Sequence, residues 1–286
     1  MSAIVNARLK VARWLMNYSA GVTNDRAPDL SMVVPTYNER EGLSDLVVAL
    51  YDVSTRCGLL LEVIVVDDNS PDGTGALADE LATIHPMRVV HRPARAGLGT
   101  AAMAGFAVAT ADTVGVMDAD MSHPPSLVPA LFAVSRASRA DFVVASRYVP
   151  GGGTPGWPLR RRLASRLACL LARPLTPVRD VTSGFFVMPR ALATSVAIKA
   201  GGFKIGLELL MRVRPKTLVE VPYQFRDRRA GQSKMNTREA FGYFLQLKDL
   251  YPIRWSTFGR RPVRHEAWSP AEVERAITAQ LTTASH

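Results

Sequence analysis

Two carboxylates one residue apart, Asp118 and Asp120, stand at the end of the apolar run Val114-Gly115-Val116-Met117. The run reads as a buried strand, and Met121-Ser122-His123-Pro124-Pro125 behind it reads as a loop. Residues i and i+2 of an extended segment point the same way, so both acids converge on one hard cation if strand geometry continues through Ala119. Magnesium or manganese held by one or two carboxylates keeps positions open for substrate phosphates. Taken alone, such a pair is more often a solvated turn than a metal site. The case for chemistry comes from its surroundings.

The elements that must position these acids alternate regularly. Met32-Val33-Val34, Val63 to Val66, Arg88 to His91 and the run ending at Met117 read as strands. Between them Leu43, Leu46, Val47 and Leu50, then Leu77, Leu81 and Ile84, then Gly97 to Ala111, read as helices. This alternation predicts an α/β fold, a mostly parallel sheet flanked by helices, with ligands bound outside the carboxyl ends of the strands. Three strands end in polar clusters: Thr36-Tyr37-Asn38-Glu39, Asp67-Asp68-Asn69-Ser70 and Asp118-Ala119-Asp120. They should meet along one rim. Asp67 and Asp68 suit the hydroxyls and base edge of a nucleoside, although a turn leading into a helix cap at Asp72 fits the same residues. Gly97, Gly99 and Thr100 either bring helix-end N–H groups to a phosphate or let a helix pack closely.

In the second half, Phe142 to Ala145 form a strand ending at Ser146, Arg147 and Tyr148, followed by a loop with Gly151, Gly152, Gly153, Pro155 and Gly156. A helix is predicted over 159–173. Leu163, Leu167 and Leu170 line one face, and Arg161 and Ser165, four apart, share another. Arg147, Arg161 and Ser165 could hold a phosphate between guanidinium forks, or the arginines could be an ordinary solvated face. Asp180 to Met188 reads as a turn and strand, Ile205 to Met211 as a helix with Glu208, and Thr217 to Val221 as a strand. Phe225 to Lys234 is a charged loop around Gly231 that suits closure over phosphates, or simply a basic loop. Aromatics from Phe241 to Trp255 beside Lys248 and Arg254 suit a membrane interface or a packed helix, and Ser269-Pro270 with Glu272 start a final helix.

Charge is unevenly placed. Residues 1–130 hold 9 Lys+Arg against 15 Asp+Glu, whereas residues 131–286 hold 26 against 10, which predicts an anionic partner for the second half. A non-enzymatic basic binding module would explain that half but not paired acids at three strand ends. Two cysteines, Cys57 and Cys169, build no disulfide framework, so a reducing, cytoplasmic setting is expected. The chain has no run of eighteen apolar residues and no signal-peptide pattern, so no transmembrane segment is expected. Val5, Leu9, Ala12 and Met16 recur at helical spacing among basic residues, consistent with an amphipathic helix on a membrane, on its own domain or on a partner.

These motifs, in their order, resemble family 2 glycosyltransferases of the GT-A fold, and more narrowly the dolichol- and polyprenol-phosphate mannosyl synthases, over roughly residues 31–250. The resemblance rests on Val34 to Glu39, Val66 to Thr74, Gly97 to Thr100, Met117 to Asp120, Ser146 to Tyr148, Arg161 with Ser165, Thr182 to Phe185, and Arg228 through Lys234. It implies a GT-A, Rossmann-like domain over 30–250, an amphipathic extension and linker over 1–29, and a tail with a short helix over 251–286. It implies that Pro35, Tyr37, Glu39, Val65 and Asp67 hold the nucleoside of GDP-mannose, and that Asp118, Ala119 and Asp120 meet its diphosphate with Mg2+ or Mn2+. Arg228 and Lys234 would clamp the diphosphate. Arg147 would serve both sites and, with Arg161 and Ser165, receive the phosphate of a polyprenyl or dolichyl lipid. Asp118, Asp120 and Arg147 are the expected catalytic residues. Ser122 stands where related enzymes often carry Gln as a further metal contact. Peripheral attachment to the cytoplasmic face of a membrane, by surface helices or a small anchoring partner, is expected, with no nucleic acid involved. A UDP-sugar donor with the same acceptor is the alternative; a nucleotidyltransferase is disfavoured because residues 31–42 lack a Gly-rich phosphate loop.

Overall fold

The computed structural model describes residues 26–198, 204–225, 237–255 and 263–284. The predicted N-terminal helix around Val5 to Met16 and the charged loop with Arg228 and Lys234 lie outside these residues.

One eight-stranded sheet organises the chain. Its strands are β1 (Leu30–Thr36), β2 (Leu61–Asp67), β3 (Met87–His91), β4 (Thr113–Val116), β5 (Phe142–Ser146), β6 (Phe186–Pro189), β7 (Thr217–Pro222) and β8 (Arg264–Ala267). The helices are α1 (Arg40–Arg56), α2 (Thr74–Ala82), α3 (Leu98–Val108), α4 (Leu127–Ser138), α5 (Leu159–Ala172), α6 (Arg190–Ala193), α7 (Ile205–Val213), α8 (Thr237–Trp255) and α9 (Pro270–Ala284). The spatial order is β3-β2-β1-β4-β6-β5-β7-β8, and only β6 runs against its neighbours. The chain leaves β3 at one edge and returns as β4 on the other side of β1. That reversal makes the crevice between the ends of β1 and β4 the natural ligand site of such a sheet. Because β6 is antiparallel, the start of β6, not its end, joins the same rim, together with Asp180 to Phe185 before it.

The central strands are apolar on both sides because helices cover both faces. Leu30, Met32, Val34, Val63 and Val65 pack with α1 residues Leu43, Leu46 and Leu50. Val33, Ile64, Val66 and Val116 pack with α3 residue Phe106 and, further along, with Phe142 and Phe186, whose rings stack at 4.8 Å. Full burial of each such side chain stabilises the fold by about 1.5–3 kcal/mol. Helix α3 lies so close to β1 that a Cβ on Gly105 would come within 2.4 Å of Val33 Cγ1, which explains the glycine inside a helix.

The expected boundary at residue 250 is not a boundary in the structure. Helix α8 runs through it, β8 pairs in parallel with β7, and α9 buries Val273 and Ala276 in the core shared with α4. Residues 264–284 therefore extend the sheet and its helical layer. Their four-residue strand Arg-His-Glu-Ala carries no apolar alternation, so hydrophobic periodicity does not mark it. Among the described residues no helix is long and apolar enough to cross a membrane.

Candidate active site

The three expected polar clusters do meet at one rim, and each turns there through a residue with positive φ: Asn38 at 59° after β1, Asn69 at 58° after β2 and Met121 at 62° after β4. Asparagine tolerates this region; methionine there is uncommon, and such conformations collect at functional sites.

At the β2 end Asp67 is buried and accepts hydrogen bonds from Ser70 N, Ser70 Oγ and Thr36 Oγ1, which fixes the 67–70 turn. Asp72 accepts from Thr74 N and Oγ1 and from Arg40 N, tying together the starts of α1 and α2, while the N-cap of α2 is Gly73 and not Asp72. Burial works against its charge, yet these bonds hold its carboxyl below the usual range. Tyr37 and Glu39 are half-buried on the neighbouring turn, and the Arg95 guanidinium lies 4.1 Å over the Tyr37 ring. Pro35 is half-buried near the strand end, whereas Val65 is fully buried two residues short of the β2 end, its side chain in the core and not on the rim. Asp68 pairs with Arg92 and accepts from Gly97 N, tying the start of α3 to this rim. Gly97 caps α3 at a φ of 95° with open space where a Cβ would sit, so its conformation and not close packing calls for glycine, while Gly99 is buried.

At the β4 end the structure corrects one expectation. The ladder stops at Val116, and Asp118 and Asp120 sit on a turn, not on a continued strand. The reason is His123: its Nδ1 accepts the Asp118 N–H at 3.0 Å, removing that group from sheet pairing. Asp120 Oδ1 accepts Ser122 N, so the turn folds back on its own acid. Both carboxylates remain partly open to solvent, and Ala119 is buried between them. Ser122 is buried too; the structure gives its backbone a part in the turn, and nothing brings its hydroxyl to the open side. A Cβ on Gly184 would sit 3.4 Å from Asp118 Oδ1, so the segment before β6 packs directly on this carboxylate.

His123 links two halves of the site. Its ring stacks on Phe185 at 4.9 Å and meets Tyr223 and Phe225 edge-on. Burial lowers its pKa, outweighing the nearby Asp118 and Asp120. Since Nδ1 accepts a hydrogen bond, the neutral ring carries its proton on Nε2, 3.8 Å from Asp118 Oδ2.

On the far side of Phe225 stand the arginines. Trp157 meets Phe225 edge-on at 5.0 Å, and the Arg161 and Arg147 guanidiniums lie 3.9 and 5.2 Å from the Trp157 ring centre. Arg147 is not an open phosphate fork. Its Nε and Nη2 each donate at 2.7 Å to the two oxygens of Asp180, its N–H also donates to Asp180, and Nη2 reaches Thr182 Oγ1. Burial disfavours both charges, but each partner outweighs it, so Asp180 stays ionised with its pKa lowered and Arg147 is firmly protonated. Arg161 is half-buried, and Ser165 accepts from Tyr148 Oη at 2.7 Å while keeping its own O–H to donate. The predicted trio is therefore brought together, with Arg147 as its buried support and Arg161 and Ser165 at its open side.

Sequence reasoning missed Asp180, Trp157 and Arg95. A signal for Asp180 exists: between Asp141 and Asp180 the chain has seven arginines and no acid, so the first acid after that stretch is the natural partner of one of them. Among the described residues no cluster of three or more His, Cys, Asp or Glu could hold a metal by itself. Two half-open carboxylates are hard oxygen donors, and this set fits a Mg2+ or Mn2+ ion that takes its other ligands from a diphosphate and water.

The parallel sheet with one reversed strand, and acids gathered where the strand order reverses, define a GT-A-like α/β transferase fold. The Glycosyl transferase family 2 model matches residues 31–206, and the chain belongs to that family. It is 37% identical over 231 residues to the dolichol-phosphate mannosyltransferase of Pyrococcus furiosus, covering 79% of this chain and 64% of that one. It is 40% identical over 224 residues to the polyprenol monophosphomannose synthase of Mycolicibacterium smegmatis, covering 73% of this chain and 83% of the relative. Glucosyl-3-phosphoglycerate synthase from Mycobacterium tuberculosis, solved with Mn2+, UDP-glucose and phosphoglyceric acid, superposes with a TM-score of 0.58 at 25% identity, covering 85% of this chain and 83% of that one. The expected fold class and family resemblance are borne out.

Proposed function

We propose that the chain transfers mannose from GDP-mannose to the phosphate of a polyprenyl lipid at the cytoplasmic face of a membrane, with inversion at the sugar. The observation that carries this reading is the separation of two anion-binding regions by one aromatic cluster: the Asp118 and Asp120 carboxylates on one side of His123 and Phe225, Arg161 and Ser165 on the other. The names of the relatives support a mannosyl group and a polyprenyl phosphate acceptor, and the Mn2+ in the structural neighbour supports a divalent metal.

Tyr37, Glu39 and Asp67 hold the nucleoside, with Pro35 beside them. Arg95, stacked on Tyr37, adds a cation on the donor side. Asp118 and Asp120 hold Mg2+ or Mn2+, which when bound offsets charge on the diphosphate. Arg228 and Lys234, in the charged segment after Phe225, add to that. The nucleophile is a lipid phosphate oxygen, ionised near neutral pH, so no strong general base is needed. That accords with a His123 kept neutral and occupied as a support. Arg161 and the Ser165 hydroxyl hold the acceptor phosphate, and the Arg147–Asp180 pair fixes the ground beneath them. The phosphate oxygen bonds to the anomeric carbon as the bond to GDP breaks, from opposite faces, giving a β-linked lipid-phosphate mannose and GDP.

Donor binding tests the reading. With Mn2+ present, GDP-mannose should bind in a form displaced by GDP and not by UDP, and Asp120→Ala should abolish it. Displacement by UDP-glucose alone would keep the fold's chemistry and change the donor.

A further inference from the structure

Helix α5 is built the wrong way round for a helix of a soluble core. Of its fourteen residues only Cys169 and Ala172 are buried. Leu159, Leu163, Leu167 and Leu170, which recur along one stripe, are between 55% and 65% exposed. The helix turns Ala168, Cys169, Leu171 and Ala172 toward the core, with Arg161 and Ser165 half-buried beside them. Helix α8 lies against it, with Tyr243 Oη donating to Ala168 O and Tyr251 Oη to Leu171 O, and itself leaves Phe241, Phe244 and Leu245 exposed.

Beside the leucine stripe opens a groove of about 580 Å³ whose walls include Arg147, Tyr148, Arg166, Leu170, Arg173 and Arg179. Leu170 belongs to both groove and stripe. Arg147 is neutralised by Asp180, but among the described residues Arg166, Arg173 and Arg179 form no ion pair; Arg173 donates to the Pro177 carbonyl and Arg166 lies 6.0 Å from the Tyr148 ring centre. Three guanidiniums with no carboxylate partner among the described residues, gathered around a groove, are matched by a phosphate, and an apolar stripe at its mouth by acyl chains. A bilayer bearing anionic phospholipid offers both at the required depth. Arginines flanking such a stripe can reach headgroups while their stems lie along the apolar surface.

We propose that this groove is an anionic phospholipid headgroup site bordering the acceptor trio, with Arg147 in the wall they share, and with the α5 leucines seated among the acyl chains. The site would place the open side of Arg161 and Ser165 beside the membrane in which a lipid acceptor resides. It does not rest on the sugar-transfer reading, because it is tested without any donor.

The test is sedimentation of the full chain with vesicles of phosphatidylcholine, or of phosphatidylcholine containing phosphatidylglycerol. Each surface arginine near anionic lipid strengthens binding by roughly fivefold, so three should give a preference for the anionic vesicles on the order of a hundredfold at low salt. Arg166→Gln/Arg173→Gln/Arg179→Gln should remove most of that preference, and Leu163→Asp/Leu167→Asp should weaken binding to both vesicles; all five side chains are exposed, so circular dichroism should match the wild type. Retention of the full preference by the triple-arginine variant would overturn the proposal. So would release from vesicles by millimolar glycerol phosphate, which would make the groove a site for soluble phosphate.

Discussion

Replacing Asp180 with alanine leaves the Arg147 guanidinium buried, protonated and without its carboxylate. Asp180 is wholly buried, and it accepts from Arg147 Nε, Nη2 and N and from Thr182 Oγ1. Removing one partner of a buried ion pair costs about 3–5 kcal/mol, whereas replacing both by apolar residues of similar size is often close to neutral. Asp180→Ala should therefore shift the folding equilibrium by two to three and a half decades, at about 1.4 kcal/mol per decade. Urea unfolding measures this, with the midpoint falling and the slope unchanged. Arg147→Met/Asp180→Leu should recover most of the loss while remaining inactive. A cost below about 1 kcal/mol for Asp180→Ala, or a double variant as unstable as the sum of the two single changes, would refute the claim that this pair is coupled and dry.

Other outcomes follow from the same geometry. Arg161→Ala should raise the acceptor KM at least about tenfold, the scale of one lost charge-assisted hydrogen bond, and leave donor binding unchanged; steady-state kinetics with each substrate varied decides it. Gly105→Ala should lower stability by about 1–3 kcal/mol in urea unfolding, because its methyl group would meet Val33. Stability should fall as pH drops below about 6.5, since burial lowers the pKa of His85 and His123 and the unfolded chain then binds more protons. That slope, up to ~1.4 kcal/mol per pH unit for each histidine, should lose about half its value in His123→Asn, whose amide oxygen can still accept the Asp118 N–H.

The strands and their polar ends were legible because a fully covered parallel sheet writes each strand as a short apolar run, as in Val63 to Val66, and closes it with the residues that face ligand. The reversed direction of β6 was not legible, since Phe186 to Met188 carries the same apolar run whichever way it points. The local period of two also misled at Asp118 and Asp120: the sequence shows alternation, but a hydrogen bond from the Asp118 N–H to His123, five residues on, ends the strand first. Arg147, Arg161 and Ser165 were singled out by helix spacing together with the family resemblance, while the burial of Arg147 against Asp180, more than thirty residues away, was not legible. Helix α5 kept its periodicity and inverted its meaning, because periodicity marks an apolar face without saying whether protein or lipid covers it.

The most direct test of the central claim is turnover: the purified full chain with Mg2+ or Mn2+, a short polyprenyl phosphate, and GDP-mannose or UDP-glucose in parallel, with the lipid product analysed for its sugar and anomeric configuration. The account predicts a β-linked mannosyl lipid phosphate from GDP-mannose, lost in Asp120→Ala. An α-linked product, or lipid-linked sugar from UDP-glucose and none from GDP-mannose, would contradict it.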